Sequence, residues 1–102
     1  MTLKELESLL KSGGVAVIEV HAVDPVIYLV FQRFGERLLP VLDGRDTARY
    51  RSRYAAFKAL AERGVQEVDF VHRSAYGEMI GFDTPHNQTE LRQRVQIGHL
   101  QG

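Results

Sequence analysis

Apolar residues near the start of the chain recur with the spacing of a helix. Four leucines share one helical face: Leu3, Leu6, Leu9 and Leu10. Thr2 and Glu5 have the spacing of a capping box, in which each side chain bonds to the other residue's backbone amide. Gly13 follows, and glycine is a typical helix end. The pattern therefore predicts a first helix over residues 3–11.

Two segments after this helix predict strands, and the first of them alternates between apolar and polar residues with a period of two. The first covers residues 15–22, and the second, residues 26–34, is apolar on both faces for most of its length, which favours a central strand. Phe34-Gly35-Glu36-Arg37 predicts a tight hairpin with glycine in the first loop position. The hairpin places six residues of the second and third strands on one face: Ile27, Leu29, Phe31, Leu38, Pro40 and Leu42.

A second helix is predicted over residues 47–63, because Gly64 provides a stop signal. Five residues form its apolar stripe: Tyr50, Tyr54, Phe57, Leu60 and Ala61. Residues 66–72 alternate again and predict a fourth strand. Since a helix intervenes, this strand is expected to run parallel to the third strand after a right-handed crossover.

These elements predict an α+β fold with the order α-β-β-β-α-β. An antiparallel three-stranded meander is followed by a crossover helix and a fourth strand, and the helices pack on the sheet. Residues 1–83 are predicted to form a single domain. Residues 84–102 are interpreted as a C-terminal tail, in which residues 89–97 form a short helix or stay disordered.

The amino-acid composition excludes several kinds of functional site. The chain has 102 residues and no cysteine, which excludes disulfides, thiolate zinc sites and a cysteine nucleophile. The early acidic residues argue against a targeting peptide, and the longest apolar run is too short to cross a bilayer. A cytoplasmic protein that does not bind membranes is expected. The four histidines lack metal-site spacing and no phosphate-binding glycine motif is present, so no metal or cofactor is predicted.

Residues 72–81 bring several reactive side-chain types together after the fourth strand. A small polar pocket would contain five of them: His72, Arg73, Ser74, Tyr76 and Glu78. His72 could act as an acid or base, and Arg73 could anchor an anion. Alternatively, Ser74 caps a turn and Tyr76 covers the sheet edge. The segment matches no known catalytic spacing, which favours the second interpretation.

Positive charge is concentrated between residues 45 and 63, which hold six basic and two acidic side chains although the whole chain has zero formal net charge. Arg49 and Arg53 would lie one turn apart on the predicted helix, and Arg45 precedes it. Arginines beside tyrosines suit phosphate or nucleic acid. The alternative, which we favour, is a solvated or partner-facing helix.

Residues 1–83 resemble a family of small bacterial proteins of unknown function. The resemblance rests on the sequence Val-His-Arg-Ser-Ala-Tyr-Gly-Glu-Met-Ile-Gly at 71–81, preceded by the strand meander and the alanine-rich helix. It implies no activity, substrate or cofactor.

The absence of a catalytic constellation in the sequence leads to a non-enzymatic binding or protein-interaction module as the first hypothesis. Unpaired sheet edges and the apolar residues of the tail suggest self-association or a protein partner. Nucleic-acid or phosphate binding through residues 47–63 is the second hypothesis, and a small enzyme using residues 72–81 is the third.

Overall fold

The computed structural model describes residues 1–73 and 90–100. The elements in chain order are α1 (Leu3–Lys11), β1 (Val17–Asp24), β2 (Ile27–Phe34), β3 (Arg37–Pro40), β4 (Leu42–Asp43), β5 (Asp46–Thr47), β6 (Arg49–Tyr50), α2 (Arg53–Glu62), β7 (Glu67–Arg73), β8 (Glu90–Gln96) and a 3₁₀ turn (Gly98–Leu100). Two helices and a mixed sheet confirm the predicted α+β fold.

The first helix and the first hairpin have the predicted local chemistry. The Thr2 Oγ1 accepts a hydrogen bond from the Glu5 amide at 3.1 Å, and the Glu5 carboxylate accepts one from the Thr2 amide at 3.0 Å, so the capping box is complete. In the hairpin, Phe34 pairs with Arg37 around a two-residue loop. Gly35 has a φ of 64°, which explains why glycine occupies the first loop position.

The main sheet has the strand order β3-β2-β1-β7-β8, and β6 pairs with β2 beside β3. Antiparallel pairs join β1 to β2, β2 to β3 and β7 to β8, whereas β1 and β7 are parallel. β2 has partners on both sides, as the central-strand prediction requires, although β1 occupies the middle of the order. Pro40 lies on the edge strand β3, where its missing N–H costs no ladder hydrogen bond.

The fourth predicted strand, β7, runs in the same direction as β3, as expected, but the two strands are not neighbours in the sheet. β7 lies parallel to β1, with Val20 opposite Phe70, and not beside β3. Five consecutive residues of β1, from Ile18 to Ala22, are buried. Their backbone groups are sealed from water along both edges of the strand, so β1 requires a hydrogen-bonding partner on each side. β2 occupies one edge, and the crossover through α2 delivers β7 to the other.

The second helix begins later than predicted. Ser52 is its N-cap and accepts a hydrogen bond from the Ala55 amide at 3.0 Å. Thr47 pairs with Leu42 in the small β4–β5 hairpin, and Tyr50 pairs with Tyr28 through β6. Residues 47–50 are therefore extended, because strand pairing satisfies the backbone groups that a longer helix would have used.

Neither of the two alternatives given for residues 89–97, a short helix or disorder, is found over residues 90–96. Glu90–Gln96 forms β8, which pairs with β7 along seven residues and extends the same sheet. Leu91 and Val95 share a face in a strand as well as in a helix, so their spacing does not separate the two structures. Because residues 90–96 pair with β7, this segment is a strand. The predicted domain boundary after residue 83 lies outside the described residues.

Both helices contribute to one hydrophobic core on one face of the sheet. The core includes Leu6 of α1 and Leu60 of α2, both fully buried, together with Val20 and Val30 of the two paired strands. Phe57 and Phe70 meet edge to face, with ring centroids 5.8 Å apart. The opposite face carries ionic side chains, and we call it the charged face.

Candidate functional site

The structure describes only part of the predicted polar pocket. His72 is exposed near the end of β7, and its ring stacks on that of Phe70 with centroids 6.5 Å apart. Arg73 is the last residue of β7. The other proposed members, Ser74, Tyr76 and Glu78, lie outside the described residues, so the pocket stays a prediction.

The predicted arginine face is not formed. Arg45 lies in the turn between β4 and β5, Arg49 belongs to β6, and Arg53 begins α2. Arg49 and Arg53 therefore do not share a helical face, because the helix starts after Ser52. The guanidinium of Arg53 lies 5.1 Å from the centroid of the Phe70 ring, in cation–π geometry. The guanidinium of Arg53 therefore already has a contact with a side chain of the same chain.

The charged face contains a buried ionic cluster that the sequence analysis did not single out. Glu19 and His21 of β1 each have only about 1 % of their surface exposed. The Glu19 Oε1 lies 2.7 Å from the His21 Nε2. Arg33 of β2 donates from Nε to Oε2 at 2.7 Å and from Nη2 to Oε1 at 3.2 Å, while Nη1 of Arg92 in β8 donates to Oε2 at 2.9 Å. One carboxylate thus links three strands.

These contacts determine the protonation of the cluster. Burial alone would raise the pKa of Glu19, but hydrogen bonds from Arg33, His21 and Arg92 outweigh it and lower the pKa to about 2. Glu19 is therefore ionised at neutral pH and can only accept hydrogen bonds, so the His21 Nε2 carries the proton that it donates. A carboxylate with four donors and a low pKa is a poor general base. Its geometry suits a structural counter-ion for the two arginines.

The ionic contacts continue from the cluster to the sheet edge. Arg94 Nε donates to the Asp69 carboxylate at 3.1 Å, and the two residues are directly opposite in the β7–β8 register. Gln96 donates to Glu67 at 2.6 Å in the same way. The Nη1 of Arg92 also lies 3.9 Å from the Oδ2 of Asp69. Cross-strand pairs of this kind fix the register of β8 on β7.

On the helical face, a groove of about 350 Å³ separates α2 from β8. Its apolar lining comes from the helix, the strand and the 3₁₀ turn: Tyr54, Phe57, Val95, Ile97 and Leu100. Polar side chains complete the rim: Arg53, Gln93, Gln96 and His99. Phe57 is buried, whereas the Tyr54 side chain is 60 % exposed. A larger hollow of about 550 Å³ borders α1, but its lining comes only from that helix and from Met1 and Ser12 at its two ends.

The sequence contains only weak signals for the buried ionic cluster and for the groove between α2 and β8. Glu19 and His21 alternate with Ile18, Val20 and Ala22, and this pattern equally describes a strand with one solvated face. Their burial depends on which strands lie beside β1. The groove depends on β8, a segment whose sequence pattern predicted a helix or disorder.

Within residues 1–73 and 90–100, no three histidine, aspartate or glutamate side chains are arranged to hold a metal ion. Neither helix in the same ranges has the length and apolar character needed to cross a bilayer.

Comparison with known proteins identifies a family but no activity. No curated protein and no solved structure matches the chain. One family model, described as a family of unknown function (DUF6482), matches residues 1–100. The match confirms the resemblance inferred for residues 1–83 and extends it through β8 to the 3₁₀ turn. The chain therefore belongs to the DUF6482 family of unknown function.

Proposed function

We propose that this domain is a non-enzymatic protein-interaction module that binds an extended segment of a partner protein along β8, beside α2. The observation that carries the proposal is the position of β8. This seven-residue strand is the last in the sheet order, and the apolar groove under α2 runs next to it. An edge strand beside a groove can take up a peptide as an additional strand.

The backbone of β8 can bind such a segment. The Ile97 amide donates to the Gln66 carbonyl at 2.8 Å, in continuation of the β7–β8 register. Since antiparallel ladders alternate between bonded and non-bonded pairs, the amides of Gln93 and Val95 point toward β7. The amides of Arg92, Arg94 and Gln96 point outward, that is, away from β7. No other strand of the described part of the chain pairs with this edge.

The groove supplies a place for side chains of the partner. Successive side chains of an added strand point to opposite faces of the sheet, so every second one would face α2. There it would meet Phe57, Val95 and Leu100, while Tyr54 could close over it from the helix. Main-chain hydrogen bonds would then provide affinity and the groove would provide selectivity.

The charged face gives less support to an enzymatic role. The donors around Glu19 occupy both carboxylate oxygens and keep its pKa low. A reaction would need a group that can take up or release a proton near neutral pH. Glu19 does not provide one.

A peptide-display experiment tests the proposal. A library of random twelve-residue peptides is selected against the full chain, and the enriched peptides are titrated into ¹⁵N-labelled protein. We expect amide shifts at residues 92–100 and at Tyr54 and Phe57. Tyr54→Ala should weaken binding about fivefold or more, because aromatic side chains are frequent binding anchors.

Phe34→Ala provides the matched control. The Phe34 side chain is 66 % exposed, similar to Tyr54. It lies at the β2–β3 hairpin, at the opposite end of the strand order from β8. This variant should bind the selected peptides like the wild type. Failure to enrich any peptide, or shifts confined to α1 or β3, would contradict the proposed function.

A further inference from the structure

The side chains of β8 restrict which extended segments can pair with it. We propose that β8 selects a partner segment with acidic residues at alternate positions and disfavours a second copy of itself. This inference rests on the proposed function, and it adds the chemistry of the partner. The residues that carry it are Arg92 and Arg94, which lie two positions apart and therefore on the same face.

Pairing of β8 with a second β8 would bring arginines together. A symmetric antiparallel dimer that uses the outward amides of Arg92, Arg94 and Gln96 has three registers with five or more paired strand residues. One places Arg92 opposite Arg92 of the partner subunit, another places Arg94 opposite Arg94 of the partner subunit, and the third places Arg92 opposite Arg94 of the partner subunit. Like charges directly opposite each other destabilise a strand pair. Where Arg92 is opposite Arg92 of the partner subunit, Glu90 is also opposite Arg94 of the partner subunit and offsets the repulsion. The arginines therefore disfavour self-pairing in the other two registers, which include the one that pairs all seven residues.

The same arginines favour carboxylates on an added strand. Arg94 is directly opposite Asp69 on β7, and its side chain is 62 % exposed. Its Nε bonds to Asp69 at 3.1 Å, and its Nη1 lies 3.7 Å from the Glu67 Oε1, which is an ion-pair distance without a hydrogen bond. An added strand would lie about 4.8 Å from β8 and twice as far from the acids of β7. An acidic residue opposite Arg94 would thus meet the arginine before it meets Asp69 or Glu67.

Arg92 is held in place by the buried cluster. Its Nη1 donates to Glu19 at 2.9 Å, and its side chain is 43 % exposed. The fixed guanidinium adds positive potential at the second outward position of β8. On the opposite face of the added strand, apolar residues would enter the groove at Phe57 and Val95. The expected partner sequence therefore alternates acidic and apolar residues.

Three synthetic peptides separate this inference from the proposed function. They have the sequences Thr-Glu-Val-Glu-Val-Glu-Thr, Thr-Gln-Val-Gln-Val-Gln-Thr and Thr-Lys-Val-Lys-Val-Lys-Thr, and each is titrated into ¹⁵N-labelled full chain while the β8 amides are monitored. The glutamate peptide should bind about two- to thirtyfold more tightly than the glutamine peptide, since each of two opposite-charge pairs contributes modestly. The lysine peptide should bind most weakly. The differences should shrink between 50 mM and 300 mM salt.

Three variants locate the effect. Arg94→Gln keeps the outward amide and removes the charge, so it should reduce the preference for the glutamate peptide. Arg94→Pro also removes the amide, so it should weaken all three peptides. Arg49→Gln is the charge-matched control, because Arg49 is an exposed residue of β6, which pairs with β2 at the other side of the sheet. Arg49→Gln should leave the preference unchanged.

The outcomes are distinct. Equal binding of the glutamate and glutamine peptides at β8 would overturn the acidic preference and leave the proposed function standing. Lack of a β8 response to all three peptides would overturn both. Sedimentation equilibrium provides an independent readout: a dimer whose interface maps to β8 at micromolar concentration would contradict the argument from facing arginines.

Discussion

Replacement of Glu19 by glutamine tests whether the buried cluster stabilises the fold. The substitution keeps the size of the side chain but removes the charge that accepts hydrogen bonds from Arg33, Arg92 and His21. The pKa of Glu19 falls from 4.5 to about 2 in the folded protein. This difference corresponds to about 3 kcal/mol of stability at neutral pH. Removal of one member of a buried ion pair typically costs a similar amount, about 3–5 kcal/mol.

Urea denaturation at pH 7 measures this loss directly. A decrease of about 3 kcal/mol shifts the midpoint by roughly 1–3 M urea in a protein of this size. Glu36→Gln is the matched control, because Glu36 is an exposed carboxylate in the β2–β3 hairpin. It should change the free energy of unfolding by less than about 0.5 kcal/mol.

The pH dependence has a definite sign. Because the folded pKa of Glu19 is depressed, its contribution is complete above pH 4.5 and is lost as the pH falls toward 2. The difference in stability between the wild type and Glu19→Gln should therefore shrink by about 2 kcal/mol between pH 7 and pH 3. A variant within about 1 kcal/mol of the wild type at pH 7, or a difference independent of pH, would refute the reasoning.

Two local substitutions test the ends of secondary-structure elements. Ser52→Ala removes the acceptor for the Ala55 amide and should cost about 1 kcal/mol, seen as a thermal midpoint about 4–8 °C lower, whereas Ser52→Asp should restore most of it. An unchanged midpoint would show that Ser52 does not cap α2. Gly35→Ala forces a non-glycine residue to a φ of 64° and should cost about 1–2 kcal/mol in urea denaturation, although no atom within 4 Å blocks the added Cβ. A neutral Gly35→Ala would contradict the assigned hairpin loop.

The elements predicted correctly from the sequence are those with complete local signals. The first helix has its capping box at Thr2 and Glu5 within four residues of chain. The hairpin has glycine at the one loop position that requires positive φ. Such features are decided by contacts between neighbours in sequence, so they are visible without knowledge of the fold.

The errors occurred where long-range pairing decided the outcome. Tyr50 has the helical spacing of the predicted stripe with Tyr54 and Phe57, but Thr47 pairs with Leu42 and Tyr50 pairs with Tyr28. Residues 90–96 have apolar spacing that fits two structures, and pairing with β7 makes them a strand. In each segment, backbone hydrogen bonds to another strand replace those that a helix would have formed internally.

The sequence by itself determined the α+β class, the first helix, the β2–β3 hairpin and the absence of cysteine chemistry. Only the tertiary structure decided that β7 lies beside β1, that Glu19 and His21 are buried, and that β8 forms the edge beside the groove. The physical reason is that alternation defines the two faces of a strand but not what covers them. The low pKa of Glu19 and the position of β8 at the end of the order of the described strands depend on which strands become neighbours.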